Sequence, residues 1–259
     1  MFDAKELINL FKKLAFDAGE EIMEVYRGDF EVSYKEDDSP VTMADRKAND
    51  LIVNGLKSRY PRVPVLAEES ADNLSRLSEE YCFIVDPLDG TKEFVKKNGE
   101  FTVNIALVRG GNPIAGLIYV PVPGECYYGF KGQGAFLYKD KEEPIHVSAQ
   151  IGDIRLAVSR SHRSTDLDIL IETNSIKNII VAGSAYKGCL LARGDVEAYY
   201  RFGRTMEWDT AAMQIIVEEA GGIFSGMDER SFTYNRENPE NPTGFYCINR
   251  KENRLIAKV

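Results

Sequence analysis

Apolar residues recur every three or four positions near the start of the chain. Leu7, Leu10, Phe11, Leu14, Ala18, Ile22 and Val25 share one side, which predicts an amphipathic helix over residues 2–26. Glu20, Glu21 and Glu24 read as its solvated face. Residues 34–40 lack core-forming side chains and predict a mobile loop or a hairpin. A second helix follows, with Thr42 as its N-cap, Asp45 in its first turn, and Ala48, Leu51, Ile52 and Leu56 on the buried side. Residues 64–67 form a short strand that ends at Glu68 and Glu69. Tyr81-Cys82-Phe83-Ile84-Val85 is an apolar, β-branched and aromatic run, the pattern of a strand buried on both faces.

Strands at 101–108, 114–120, 125–130 and 134–138 are separated by Gly- and Pro-containing turns, which suits an antiparallel meander. Residues 144–148 read as a crossing into the second half. There strands at 154–158, 178–182, 196–200, 222–225 and 244–248 alternate with helices at 165–172, 184–193 and 209–220, and residues 226–243 form a polar loop. The expectation is a layered α/β arrangement in two halves, an α+β half over 1–147 and an α/β half over 148–259. The chain has no internal repeat.

Composition narrows the function. With 259 residues, 44% hydrophobic and 28% charged, the chain is globular and has ample core. Its 32 basic and 41 acidic residues leave a net charge of −9, which argues against a polymeric nucleic acid or an anionic membrane as partner. A chain this acidic handles phosphates only by recruiting cations or by placing a few bases. No apolar run approaches the roughly 20 residues of a transmembrane helix. The start at Met1 is charged, unlike a signal peptide. Cys82, Cys126, Cys189 and Cys247 are widely spaced in apolar contexts and read as buried free thiols, which points to the cytoplasm.

The chemistry concentrates at Asp86-Pro87-Leu88-Asp89-Gly90-Thr91, directly after the buried strand. Asp86 ends the strand and a Pro turn returns Asp89 to the same rim. Two carboxylates so close repel unless a cation lies between them, and all-oxygen ligands favour a hard ion such as Mg²⁺. The Leu88 carbonyl is a third candidate oxygen. Asp89 is a candidate N-cap for a helix through Phe94, so that the Gly90 and Thr91 amides would face an anion beside the metal. A surface turn is the plain alternative, since Asp, Pro and Gly are ordinary turn residues. Likewise Asp45 and Asp209 read locally as helix-dipole carboxylates.

These six residues resemble the signature of the inositol monophosphatase superfamily, metal-dependent phosphatases sensitive to lithium. Val65-Leu66-Ala67-Glu68-Glu69-Ser70 resembles a second family segment, and Glu207-Trp208-Asp209-Thr210-Ala211-Ala212 running to Glu219-Ala220-Gly221-Gly222 a third, in the family's order. The stretch Asp89 to Phe94, continued by Asn98-Gly99-Glu100-Phe101-Thr102-Val103-Asn104, is most similar to the bacterial 3'(2'),5'-bisphosphate nucleotidase branch. The resemblance implies an αβαβα sandwich with the active site between the halves. It implies two or more Mg²⁺ ions per site, with Glu68, Asp86 and Leu88 O on one and Asp86, Asp89 and Asp209 on another. Thr91, bonded to Asp45, would activate a water, and Gly90 and Thr91 would hold phosphate oxygens. In the second half His162, Ser184, Lys187 and Arg201 resemble the positions around the nucleotide. Two residues depart from that branch, Gly188 where an aromatic is common and Met213 where glycine is common.

The expected function is hydrolysis of the 3'-phosphate of 3'-phosphoadenosine 5'-phosphate to AMP and phosphate, clearing a by-product of sulfate activation. Alternatives are a broad inositol monophosphatase or fructose-1,6-bisphosphatase and, from another class, a non-catalytic metal- or nucleotide-binding regulator. The expected partner is a small phosphate ester, with an oligomer possible but not indicated.

Overall fold

Asp3 opens helix α1 (Ala4–Arg27) by accepting the Glu6 N–H at 2.8 Å, which satisfies one of the four unpaired amides of a helix start. The helix buries Leu7, Phe11, Leu14, Ala18 and Ile22 as their spacing predicts, and adds Ile8 and Ala15. The computed structural model describes residues 2–34, 40–72, 74–161 and 164–256. Strands β1 (Val32–Tyr34) and β2 (Pro40–Thr42) pair antiparallel. Residues 35–39 of the expected loop or hairpin lie outside the described residues. Helix α2 (Met43–Arg59) begins on Thr42 with a complete capping box to Asp45 and buries Ala44, Ala48, Ile52 and Leu56.

The first sheet has seven strands in the order β3 (Val65–Ala67), β4 (Tyr81–Asp89), β5 (Thr102–Arg109), β6 (Asn112–Val120), β7 (Glu125–Phe130), β8 (Gly134–Tyr138) and β9 (Glu142–Ile145). A short helix, α3 (Thr91–Val95), follows β4. β3 runs parallel to β4 and the rest form the expected meander. The expected crossing at 144–148 is corrected, because 144 and 145 belong to the edge strand β9, where backbone pairing with β8 is available. Residues alternate across β4, with Cys82 and Ile84 packed to one side and Phe83 and Val85 to the other, all buried. Burial on both faces explains the unbroken apolar run.

The second half supplies β10 (Arg155–Ser159), α4 (Thr165–Thr173), β11 (Asn178–Ala182), α5 (Tyr186–Ala192), β12 (Ala198–Arg201), β13 (Thr205–Met206), α6 (Glu207–Glu219), β14 (Ile223–Gly226), β15 (Glu240–Asn241) and β16 (Phe245–Ile248). Five strands form a mixed sheet in the order β11-β10-β12-β16-β14, and β13 pairs with β15. The expected loop at 226–243 therefore holds a strand, β15. Leu156, Val158, Tyr200 and Ile248 pack against Leu167 and Leu170 of α4, while Ala157, Tyr199, Phe245 and Cys247 face the opposite way, toward α5 and α6.

Helix α6 lies on the first sheet, where Gly116 admits it: a Cβ there would sit 2.5 Å from Ile215 Cγ2 and 2.9 Å from Ala212 Cα. One core cluster joins Leu66, Ile84 and Ile118 to Leu191, Ile216 and Phe245. The layers run α1/α2, seven-stranded sheet, α5/α6, five-stranded sheet, α4, an αβαβα sandwich. Among the described residues no helix is long and apolar enough to cross a membrane. The four cysteines are buried, and burial pushes the Cys82 and Cys126 thiols up to about 12.

Candidate active site

Strand β4 pairs regularly with β5 as far as Asp86 opposite Asn104, and then slips so that Asp89 stands opposite Thr102. The extra residue is a bulge, which re-aims side chains. It turns Asp86 and Asp89 toward the same space despite their odd spacing along a strand. Asp86 Oδ1 accepts the Leu88 N–H at 3.0 Å. Asp89 Oδ2 accepts the Ala185 N–H, from the start of α5, at 2.6 Å. Asn104 and Thr102 lie within 3.5 Å of the same oxygen. The expectation that Asp89 caps α3 is therefore corrected. Gly90 holds that position with φ +92° and no side-chain cap, and the Asp89 carboxylate reaches across to the second half instead.

Asp209 arrives from the far side. It is the third residue of α6, not the first as its motif suggests. Its Oδ2 accepts the Met206 N–H at 2.7 Å, the carboxylate half of a capping box. Carboxylate oxygens of Asp86, Asp89 and Asp209 lie within 4.8 Å of one another. Glu68 follows β3, parallel to β4, so both strands end on one rim. Its side chain shares a hydrogen bond with Asp86.

Burial first, and then Glu68, Asp89 and Asp209, hold the Asp86 carboxyl well above the usual carboxylate range. Burial and Asp89 carry Asp209 up to about 8. Asp89 is raised by burial too, while Lys187 opposes the shift. Like charges are driven together in a desolvated place, and a divalent cation is the counter-charge that relieves them. The donor set is entirely oxygen, which fits a hard ion. Asp86, Asp89 and Asp209, with Glu68 beside them, are the side chains able to hold it.

Asp45 uses its two oxygens for separate tasks. Oδ2 accepts the Thr42 N–H at 2.8 Å and hydroxyl at 2.7 Å, closing the α2 cap, while Oδ1 accepts the Thr91 hydroxyl at 3.1 Å. Burial raises the Asp45 carboxyl, against the Thr42 hydrogen bonds that lower it. The Thr91 hydroxyl also lies 3.4 Å from the Leu88 carbonyl. Gly90 is demanded twice, by its positive φ and because a Cβ there would fall 1.9 Å from Ser184 Oγ.

A cleft of about 310 Å³ opens over these groups and is lined by Glu68, Asp89, Gly90, Thr91 and Asp209. Lys187, Arg201 and Arg204 line it too, with Tyr199, Trp208, Met213 and Phe245 as apolar wall. Lys187 is buried, donates to the Ser184 carbonyl at 2.6 Å and lies 5.2 Å over the Tyr199 ring. Burial brings its ammonium down to about 8, although Asp89 pulls the other way. Ser184 borders the cleft, yet its hydroxyl is directed at the Asp89 and Glu100 carbonyls, 2.9 and 2.7 Å away, where it fastens the halves together. His162 lies outside the described residues.

Sequence reasoning missed several contributors. Arg160, next to the cleft-lining Ser159, clasps Glu100 through two hydrogen bonds of 2.7 Å, joining residues 60 apart. Asn104 was discoverable, since a polar residue inside the apolar run Thr102 to Val108 needs a buried partner. Arg204 carried no local signal, and Trp208 stood in the third family-like segment with no role of its own assigned.

The likeness suggested by the motifs extends over the chain. A sequence profile described as the inositol monophosphatase family matches residues 3–259. The 3'(2'),5'-bisphosphate nucleotidase CysQ of Salmonella typhimurium is 41% identical over 238 residues, covering 89% of this chain and 95% of the relative. CysQ of Buchnera aphidicola is 41% identical over 226 residues, 84% of this chain and 83% of the relative. Among solved structures, CysQ from Bacteroides thetaiotaomicron superposes with TM-score 0.80 at 36% identity, covering 92% of this chain and 95% of that one. The suppressor protein SuhB of Bartonella henselae gives TM-score 0.81 at 28% identity, covering 94% of each. With the profile spanning the described fold and carboxylate cluster alike, this chain belongs to the inositol monophosphatase family.

Proposed function

We propose that the protein is a Mg²⁺-dependent phosphatase that removes the 3'-phosphate of 3'-phosphoadenosine 5'-phosphate, yielding AMP and phosphate. The observation that carries this reading is the mixed charge of the cleft, which is lined by members of the carboxylate cluster and also by Lys187, Arg201 and Arg204. A monophosphate needs only the carboxylate cluster. A substrate with two phosphates has a use for the bases as well, and charge-assisted bonds from Arg and Lys suit the phosphate that remains. The names of the CysQ relatives support the same substrate class.

Asp86, Asp89 and Asp209, with Glu68 and the Leu88 carbonyl, would hold the metal. Bound there, divalent ions would neutralise phosphate charge, acidify a water and stabilise the leaving oxygen. The chain's own part is positioning and proton transfer. Thr91 donates to Asp45, so its oxygen lone pairs remain to accept from a water in the cleft. As that water gives its proton to Thr91 Oγ, the Thr91 proton passes to Asp45, whose burial favours taking it. Thr91 opens α3, so its N–H has no acceptor within the helix and is available to a phosphate oxygen.

Phosphate release from a panel of esters, with and without Mg²⁺, tests the reading. The expected result is highest kcat/KM on the bisphosphate nucleotide and none without metal. Preference for inositol 1-phosphate or fructose 1,6-bisphosphate would overturn the substrate assignment.

A further inference from the structure

Several buried tyrosines commit their hydroxyls to a neighbour. Tyr127 donates to Glu125 at 2.7 Å, Tyr234 donates to Gln214 Oε1 at 2.7 Å, and Tyr200 accepts the Leu255 N–H at 2.8 Å. A phenol with a buried ring ordinarily needs such a partner. Tyr199 is only 4% exposed, yet among the described residues none hydrogen-bonds its hydroxyl. In the same set of residues no side-chain oxygen or nitrogen closed to solvent lacks a partner. The Tyr199 oxygen is therefore open, and the opening that Tyr199 borders is the cleft.

The ring is held while its oxygen stays free. Lys187 Nζ lies 5.2 Å over the ring centroid, and Phe245 meets the ring edge-on with centroids 5.4 Å apart. Arg201 follows Tyr199 by two residues on β12, so both side chains leave the same face of the strand, and both line the cleft. Burial pushes the phenol up, away from neutral pH, so the hydroxyl keeps its proton and acts as a donor. Arg201 is the charge that acts on it most strongly, ahead of Asp89 and Asp209. A donor accompanied by an ammonium and a guanidinium suits an anionic acceptor. With the carboxylate cluster assigned to the cation and the phosphate that leaves, the remaining anion is the phosphate that stays.

We propose that the Tyr199 hydroxyl is a specificity-determining donor to an oxygen of the phosphate that the enzyme leaves in place, alongside Lys187 and Arg201. The proposal rests on the bisphosphate reading above. Lys187 and Phe245 already fix the ring, so the side chain has little freedom left to lose when substrate arrives. An ester without a second phosphate offers this hydroxyl no anion. Since the hydroxyl bonds to nothing within the described fold, its removal weakens binding and leaves stability as it was.

Tyr199→Phe removes the oxygen and keeps the ring. Its melting temperature should equal that of the native protein, whereas Tyr127→Phe, which breaks the bond to Glu125, should melt lower. A clear drop for Tyr199→Phe would mean that the hydroxyl serves the fold instead. With Mg²⁺ present, kcat/KM on 3'-phosphoadenosine 5'-phosphate should fall about tenfold, chiefly through KM, as for a lost hydrogen bond to a charged group. Calorimetric affinity for AMP, the product that keeps the phosphate, should fall by a similar factor. Adenosine 3'-phosphate has the same nucleoside without the second phosphate, and its kcat/KM should change less than about twofold. Equal losses on the two esters, or native affinity for AMP, would overturn the proposal. The functional reading fails separately, on the native protein, if that protein neither cleaves nor binds the nucleotide. A native preference for fructose 1,6-bisphosphate still leaves a retained phosphate, and fructose 1-phosphate then replaces adenosine 3'-phosphate in the same comparison. A native preference for inositol 1-phosphate leaves none and overturns both readings.

Discussion

Two sets of charges line the cleft on opposite electrostatic terms. In one, a buried Asp86 and the half-buried Asp89 and Asp209 lie side by side, and Asp89 raises the carboxyls of the other two. In the other, Lys187 is buried, Arg201 is half-buried at the end of β12, and Arg204 is exposed. The carboxylate set is frustrated by itself and has most to gain from a cation. The basic set is already tolerable, because Lys187 donates to Ser184 O and is drawn toward its charged form by Asp89. Under the proposed function the first set would demand a ligand, and the second would grade the substrates that arrive.

The most severe break of this contrast is Asp89→Asn. A neutral amide holds a hard cation poorly and loses the Ala185 anchor's charge, so kcat/KM should fall at least about 10³-fold, the scale of losing a main electrostatic group. Near-native turnover at saturating Mg²⁺ would sink the assignment of Asp89 as a ligand. Thr91→Ala comes next. It removes the proton relay to Asp45 but not the carboxylates, so kcat should drop about 10²-fold while Mg²⁺ affinity by calorimetry barely changes. Loss of metal binding instead would move Thr91 out of the nucleophile's surroundings.

Lys187→Met probes the basic set with less damage to packing. A charged hydrogen bond of roughly 1.5–3 kcal/mol corresponds to about a ten- to hundredfold loss in kcat/KM on the bisphosphate nucleotide. Inositol 1-phosphate should lose less, through the effect on Asp89 alone, and the ratio of the two rates is the measurement. An unchanged ratio in a protein of native melting temperature would place Lys187 outside the specificity pocket.

The smallest effect is thermal. Asp209 has a folded value of about 8 against 3.8 for an ordinary aspartate, so the folded metal-free protein binds the extra proton. Its stability should be highest below about pH 4 with respect to this group and decline up to about pH 8, since the unfolded chain ionises first. Melting without divalent cation should fall by a few degrees from pH 6 to pH 8. Saturating Mg²⁺ should cancel the decline, and a metal-free melting temperature that rises over this range would contradict the carboxylate repulsion.

Much of the molecule was legible in the chain itself. The 3.6-residue period defines α1 and α2, and the apolar runs define β4 and the meander, because local periodicity and burial leave their mark directly on sequence. The motif around Asp86 and Asp89 pointed to converging carboxylates, which the structure brings together with Asp209, and the family resemblance is matched over residues 3–259. Boundaries were less readable. Thr42 advertised its helix by side-chain chemistry, whereas α6 starts at Glu207 on a Met206 cap that no composition rule favours.

Only the tertiary structure decided how those parts meet. No local pattern says that Asp89 is held by an amide 96 residues later, that Thr91 finds Asp45 46 residues earlier, or that Ser184 closes on the carbonyls of Asp89 and Glu100. Gly188 and Met213 read as two unrelated departures along the chain, and in space they are one contact. The reason is physical. Helices and strands form from neighbours a few residues apart, while the cleft forms where α5, α6 and the bulge of β4 are packed together, and that packing depends on volumes distributed over the whole chain.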